Sequence, residues 1–244
     1  MKTFLNVLAA ERLKMSRSRL WLVLLASPVL SALIGLLMNL PDGAAAWPAL
    51  LGGMSMLHGL LFLPIMAGLF ASFICRYEHT GGGWKQLLVL PVSRPAVYMA
   101  KFTVVISLLA GTQLLFLIML LIVSQVQGLV WPIPWSMIAV SLIGGLVACL
   151  PLVALQLGVS LAWSSFAAPL AVNVSLTIPS LLIVYSDKIA PFYPWTQPVL
   201  AMMPKGEADY GAFNLPIENL LITVLGSFLV FLAAGMLYFR RKAV

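Results

Sequence analysis

The sequence predicts an all-α integral membrane protein with six transmembrane helices, and three observations carry that prediction. Hydrophobic residues make up 62% of the chain and charged residues only 9%, a balance foreign to soluble domains. Four charge-free stretches, residues 20–41, 43–75, 102–186 and 219–239, are each long enough to cross about 30 Å of hydrocarbon as a helix. Lysine and arginine are confined to a few connections, which makes orientation readable.

Residues 1–19, "MKTFLNVLAAERLKMSRSR", read as an interfacial helix with both apolar and basic faces. Phe4, Leu5, Leu8 and Met15 lie loosely on one side, while Glu11 and Arg12 interrupt the stripe; an unstructured basic tail is the alternative. The segment does not resemble a cleaved signal peptide. Five basic residues precede an apolar run that is too long and lacks a small-residue cleavage site.

Spans are expected at about 20–40 and 52–75. The stretch 102–186 is too long for one crossing and must be divided by its punctuation. Gly128, Pro132 and Pro134 do not suit a helix interior, and Trp131 and Trp135 suit the headgroup boundary, so "QVQGLVWPIPW" is one break. A weaker break falls near "QLGVSLAWSS", on Gln156, Gly158, Ser160, Trp163, Ser164 and Ser165. The remaining spans then cover about 102–125, 135–156, 162–186 and 218–239.

Six spans place both termini on one side. With that side cytoplasmic, it holds twelve of the fourteen lysines and arginines; Lys188 and Lys205 remain outside with Asp42, Asp187, Glu207, Asp209 and Glu218. The net charge of +7 is therefore a topology signal. It does not argue for nucleic acid, which calls for a basic face on a soluble domain.

The connection "EHTGGGWKQLLVLPVSRPAVYMAK", residues 78–101, is more organised than a simple link. Gly81, Gly82 and Gly83 stop the second span. Trp84, Leu87 and Leu88 fall at i, i+3 and i+4 on one face of a short helix, with Lys85 and Gln86 elsewhere and Pro91 ending it. Ser93 is placed to cap a new helix with Pro95 in its first turn. The short helix either lies on the bilayer or fits its apolar face into a groove on a cytoplasmic motor.

The spans hold no lysine or arginine and, apart from Glu218 at a span end, no acid. Ion-coupled pumps keep such groups at membrane depth for function. His58 alone lacks the partners catalysis demands. Two histidines, His58 and His79, cannot form HExxH, and "GMSML" around Ser55 lacks the second glycine of a nucleophile elbow. Cys75 and Cys149 have neither disulfide-framework nor zinc spacing. "GGGWK" fails as a phosphate loop because Gln86, not serine or threonine, follows Lys85 and no strand precedes it. Any energy from ATP must therefore arrive through a partner.

Two further regions invite a role. His58, Gln113, Gln156, Asn173, Ser175 and Thr177 are candidates for a translocation surface, with interhelical hydrogen bonding the structural alternative. Pro169 and Pro179 kink the fifth span around three of them. In the outer connection, residues 187–217, Phe192, Tyr193, Trp195 and Met202 suit a segment that dips into the interface, the alternative being a cap that shields the bundle. Small-residue pairs at Ser31 and Gly35, Gly68 and Ser72, and Gly144 and Ala148 suit close helix packing.

"ERLKMSRSRLWLVLLASP" and "EHTGGGWKQLLVLPVSRPAVYMAK" resemble the small ABC-2-type permeases, particularly those grouped with lantibiotic and bacitracin immunity exporters. The acidic residue, Trp-Lys, Leu-Leu, Pro-Val-Ser-Arg, Tyr and Lys are the most specific part of the match. The resemblance implies a single transmembrane domain over residues 1–244 in a bacterial inner membrane, with a coupling loop at 78–95 and re-entrant helices between the last two spans. It implies that Glu78, Trp84, Lys85, Leu87, Leu88, Pro91 and Arg94 couple to ATP-binding-cassette ATPase subunits, which hold ATP and magnesium while this chain holds no cofactor. A second permease protomer and membrane lipid complete the expected partners. The expected function is a non-enzymatic permease subunit that exports an amphipathic peptide, antibiotic or lipid-like substrate, as in lantibiotic self-protection. A non-transporting membrane anchor for an ATPase is the main alternative, and an ion-coupled secondary transporter a lesser one.

Overall fold

The computed structural model describes residues 2–16, 20–79, 83–89, 91–129, 132–205, 213 and 215–242, and all regular structure among them is helical. Expectations for Arg17, Arg19, Gly81, Gly82, Trp131, Glu207 and Asp209, and for the Leu88 side chain, lie outside the described residues.

Helix α1 is Lys2–Ser16 and α2 is Leu20–Leu37. A single rod then runs through α3, Ala46–Leu57, a π-turn at His58–Phe62, and α4, Leu63–His79. The π-turn, an extra residue in a helical turn, sits where another segment presses on the rod. A side chain on Gly59 would place its Cβ 2.7 Å from the Val199 Cα, so only glycine admits that approach.

Helix α5 is Gly83–Val89, and α6, Arg94–Val126, is the longest element. Ser93 caps α6 by accepting the Ala96 amide at 3.4 Å. Helices α7, Trp135–Ala148, and α8, Leu150–Ala162, form one bent rod. Pro151 in the first turn of α8 lacks an N–H to continue the ladder, which accounts for the joint at Cys149. After the bend at 163–166 come α9, Ala167–Thr177, and α10, Ser180–Ile183. Pro179 separates these two helices. The outer connection folds into a 3₁₀ turn, Ala190–Phe192, and α11, Gln197–Met202, before α12, Ile217–Arg241.

Among the described residues, four rods are long and apolar enough to span a membrane: 43–79, 94–126, 135–162 and 217–241. The first and fifth expected spans are represented by shorter apolar helices, Leu22–Leu37 and Ala167–Ile183. Three expected boundaries are corrected, the second span's rod beginning at 43 instead of 52. The fourth span continues to Ala162 instead of ending at 156, because Gln156 and Ser160 are buried in helix contacts and do not mark a break. The fifth begins at Ala167 instead of 162 and is interrupted at Pro179.

Helix α6 carries α1 and α2 on its flanks, α8 bridges α4 and α12, and α9 leans on α4. One large core runs through Leu50, Phe70, Leu109, Phe116 and Leu157, each fully buried. A smaller one forms around Val184, Val199, Leu200 and Val224, where α11 packs against α7.

Candidate functional site

Two kinds of polar organisation occupy the bundle: a charge cluster at the end where α1, α4, α6 and α12 meet, and hydrogen-bond networks within it. The cluster begins with α1. Its inward face carries Val7, Glu11 and Met15, a spacing of four that puts all three on one helix side. Glu11, expected to interrupt a stripe of Phe4, Leu5, Leu8 and Met15, instead stands on the buried face, while Leu5 is 55% exposed.

Glu11, Lys14, Glu78 and Lys101 form a closed ring. Lys101 Nζ lies 2.9 Å from Glu11 Oε2 and 2.8 Å from Glu78 Oε2. Lys14 Nζ lies 2.8 Å from Glu11 Oε1 and 2.5 Å from Glu78 Oε1. Lys101 also donates to the Ile74 carbonyl at 3.1 Å. Two positive and two negative charges cancel, which is the condition under which buried ions are tolerated. Lys101, Glu11 and Glu78 are 1–3% exposed, while Lys14 at 29% reaches water.

Trp84, at the start of α5, covers this ring. Its indole lies 5.8 Å from Lys101 Nζ and 5.7 Å from Lys242 Nζ, within cation–π range. Trp84 Nε1 donates to His79 Nδ1 at 3.2 Å, and His79 Nε2 is 2.9 Å from the Ser160 carbonyl. An accepting Nδ1 requires the hydrogen on Nε2, so both contacts select the same neutral tautomer. Phe239 of α12 meets the indole edge-on at 5.3 Å. Burial holds the Lys242 ammonium below its ordinary range, and its Nζ donates to the Leu161 carbonyl.

Arg94 closes the same end from α6. Its guanidinium donates to the carbonyls of Phe239, Arg240 and Lys242 at 3.0, 3.0 and 2.6 Å. These are orphan acceptors at the C-terminus of α12, where a cation also meets the negative end of the helix dipole.

The expected coupling residues therefore divide. Glu78, Trp84 and Arg94 are committed to contacts inside the chain, and Leu87 packs against the core. Lys85, Gln86, Val89 and Pro91 are exposed. This corrects the expected orientation. The apolar face bearing Trp84 turns into the bundle because the buried cations and Phe239 are there to receive it, and the outward face is mixed polar and apolar.

The expected translocation surface is likewise redrawn. His58 is fully buried, with Nδ1 2.5 Å from Ser27 Oγ, Nε2 3.2 Å from Gln113 Oε1, and its ring 4.4 Å from Phe116. Gln113 Nε2 passes the network on to the Leu142 carbonyl at 3.3 Å and Met202 Sδ at 3.6 Å. Asn173 anchors a second network. Its Oδ1 accepts from Gln156 Nε2 at 2.8 Å and Trp195 Nε1 at 2.9 Å, and its Nδ2 donates to the Pro64 carbonyl at 2.8 Å. Thr177 donates to the Asn173 carbonyl at 2.8 Å. These five side chains are buried and held in two separate networks, in which Gln156 Oε1 has no hydrogen-bond partner; Ser175, on the same helix as Asn173 and Thr177, is exposed. Gly68 makes room for Asn173, since an added Cβ would stand 2.5 Å from its Cγ.

The outer segment is tied into both networks. Trp195 and Met202 are buried, and the Tyr193 hydroxyl donates to the Leu176 carbonyl at 2.5 Å. Phe192 is 71% exposed. Ser141 donates to the Met202 carbonyl, locking α11 to α7.

Sequence reasoning missed Lys14 and Lys101 as the partners of Glu78, Glu11 as the second acid they share, and Ser27 as the partner of His58. The signal for Glu11 was its place in the Val7 and Met15 register.

A model of ABC-2 family transporter proteins matches residues 7–180, from within α1 to the start of α10. No curated protein matches the chain.

Proposed function

The chain belongs to the ABC-2 transporter family, and from that premise we propose that it is the permease half of an ATP-driven exporter for amphipathic or lipid-like cargo. Family membership makes it a membrane transport subunit that associates with an ATP-binding-cassette ATPase. Helix α5 is the docking element, and its exposed residues Lys85, Gln86, Val89 and Pro91 are the contact. The observation that carries this reading is the anchorage of α5. Trp84 seats it on the charge ring, and that ring joins α1, α4 and α6. A push on α5 therefore reaches three elements at once without the helix first having to fold.

Six crossings with a cytoplasmic basic end agree with the collection of Arg12, Lys14, Arg76, Lys85, Arg94, Arg240, Arg241 and Lys242 away from Lys188 and Lys205. Two protomers and two ATPases then make the working unit, and self-protection against a membrane-active peptide is the role closest to the resemblance of residues 78–101. The test is co-purification with the co-expressed ATPase. Lys85→Glu and Val89→Asp should each lower ATPase recovery several-fold while the permease remains folded. Unchanged recovery and unchanged ATP-dependent transport with both substitutions would reject α5 as the docking element. ATPase recovery without any transport would favour the anchor reading.

A further inference from the structure

Helices α8 and α12 leave a groove of about 250 Å³ between them. Its walls are Ala154, Gly158 and Ala162 on α8 and Ala234, Gly235 and Tyr238 on α12. Small residues keep it open, and the floor forms where Gly158 faces the Gly235 backbone. Almost no polar atom lines it, so an aqueous solute gains nothing there.

One end of this groove is different. Phe231, Ala234 and Tyr238 are spaced three and four residues apart, and the next position on that stripe is Arg241, which is exposed. Trp163 follows Ala162 at the end of α8 and is 46% exposed. Lys242 reaches across to the Leu161 carbonyl, next to Ala162 of the groove wall. Exposed tryptophan, tyrosine and arginine at one level mark a headgroup boundary. The groove thus runs from an apolar slot into a cationic, aromatic rim.

We infer that this groove is a binding site for an anionic phospholipid, with one acyl chain between Gly158 and Ala234 and the phosphate beside Arg241. The apolar slot selects a hydrocarbon chain by excluding anything that needs hydrogen bonds. Arg241 selects the charge, because a guanidinium presents paired donors to phosphate oxygens. The inference rests on the membrane setting of the chain and not on its coupling to an ATPase.

The test uses the full chain reconstituted in vesicles in which phosphatidylcholine is progressively replaced by acyl-brominated phosphatidylglycerol or acyl-brominated phosphatidylcholine. Bromine quenches nearby indole fluorescence, and the Trp163 component is the difference between the native chain and Trp163→Phe. Brominated phosphatidylglycerol should reach half-maximal quenching of that component at a several-fold lower mole fraction than brominated phosphatidylcholine. Ala234→Phe fills the slot from an exposed position and should abolish the saturable component for both lipids. Arg241→Gln should leave quenching in place but make the two lipids equivalent. Equal curves for the two lipids in the native chain overturn the inference, as does an Ala234→Phe curve that matches the native one. If Ala234→Phe instead abolishes cross-linking between copies with no lipid preference in the native chain, the groove is a protomer interface and the lipid site is rejected.

Discussion

Replacing Lys101 by methionine is expected to cost about 3–5 kcal/mol of folding stability, the range for stripping one partner from a buried ion pair. Lys101 Nζ sits within 2.9 Å of both Glu11 and Glu78, and all three side chains are 1–3% exposed. Without it, Lys14 alone faces two carboxylates, and one uncompensated negative charge remains in the interior. Lys14→Met leaves the same one-charge imbalance but should cost less than Lys101→Met, because its 29%-exposed position admits water to the carboxylate oxygens it vacates. Lys101→Met combined with Glu11→Gln restores neutrality by leaving Lys14 opposite Glu78. The pair should then recover about 1–3 kcal/mol relative to the sum of the single changes. The assay is equilibrium unfolding in mixed micelles titrated with SDS, followed by far-ultraviolet circular dichroism. A Lys101→Met chain within about 0.5 kcal/mol of the native one, the size of a surface effect, would refute the buried ring, and strict additivity in the double variant would refute its coupling.

Other substitutions test the remaining features. Gly68→Ala should lose about 1–3 kcal/mol by overpacking against Asn173, read in the same titration. Asn173→Ala should destabilise by about 1–3 kcal/mol because it orphans Gln156, Trp195 and the Pro64 carbonyl, and the Trp195 emission should shift with it; Ser175→Ala on the exposed side should stay within about 0.5 kcal/mol. Arg94→Gln should cost about 1.5–3 kcal/mol through its charge-assisted bonds to the α12 terminus and raise amide exchange over the last turn of α12. His58→Phe leaves Ser27 and Gln113 without their shared partner and should cost about 1–3 kcal/mol, with transport changed no more than stability dictates.

The helical class and the main apolar rods were legible because hydropathy is a per-residue quantity. A long run without charge announces itself whatever it packs against. The Ser93 cap of α6 was legible for the same reason, being a local bond to Ala96. The site was legible only in outline. "EHTGGGWKQLLVLP" correctly marked a helix at 83–89, yet its periodicity alone could not say which face was outward. Trp84 faces inward because Lys242 and Phe239, far along the chain, converge beneath it. Gln156 and Ser160 looked like a break because polarity was read without the partners that bury them.

By itself the sequence determined that this chain lives in a membrane, where its helices lie, and which of its ends is basic, since transfer free energy and charge count depend on each residue's own chemistry. Tertiary structure alone decided that Glu11 completes a neutral ring with Lys14, Glu78 and Lys101, and that Asn173 serves Gln156 and Trp195. A buried charge or amide is tolerated only when its partner arrives, and those partners come from segments as much as 148 residues apart, as with Arg94 and Lys242.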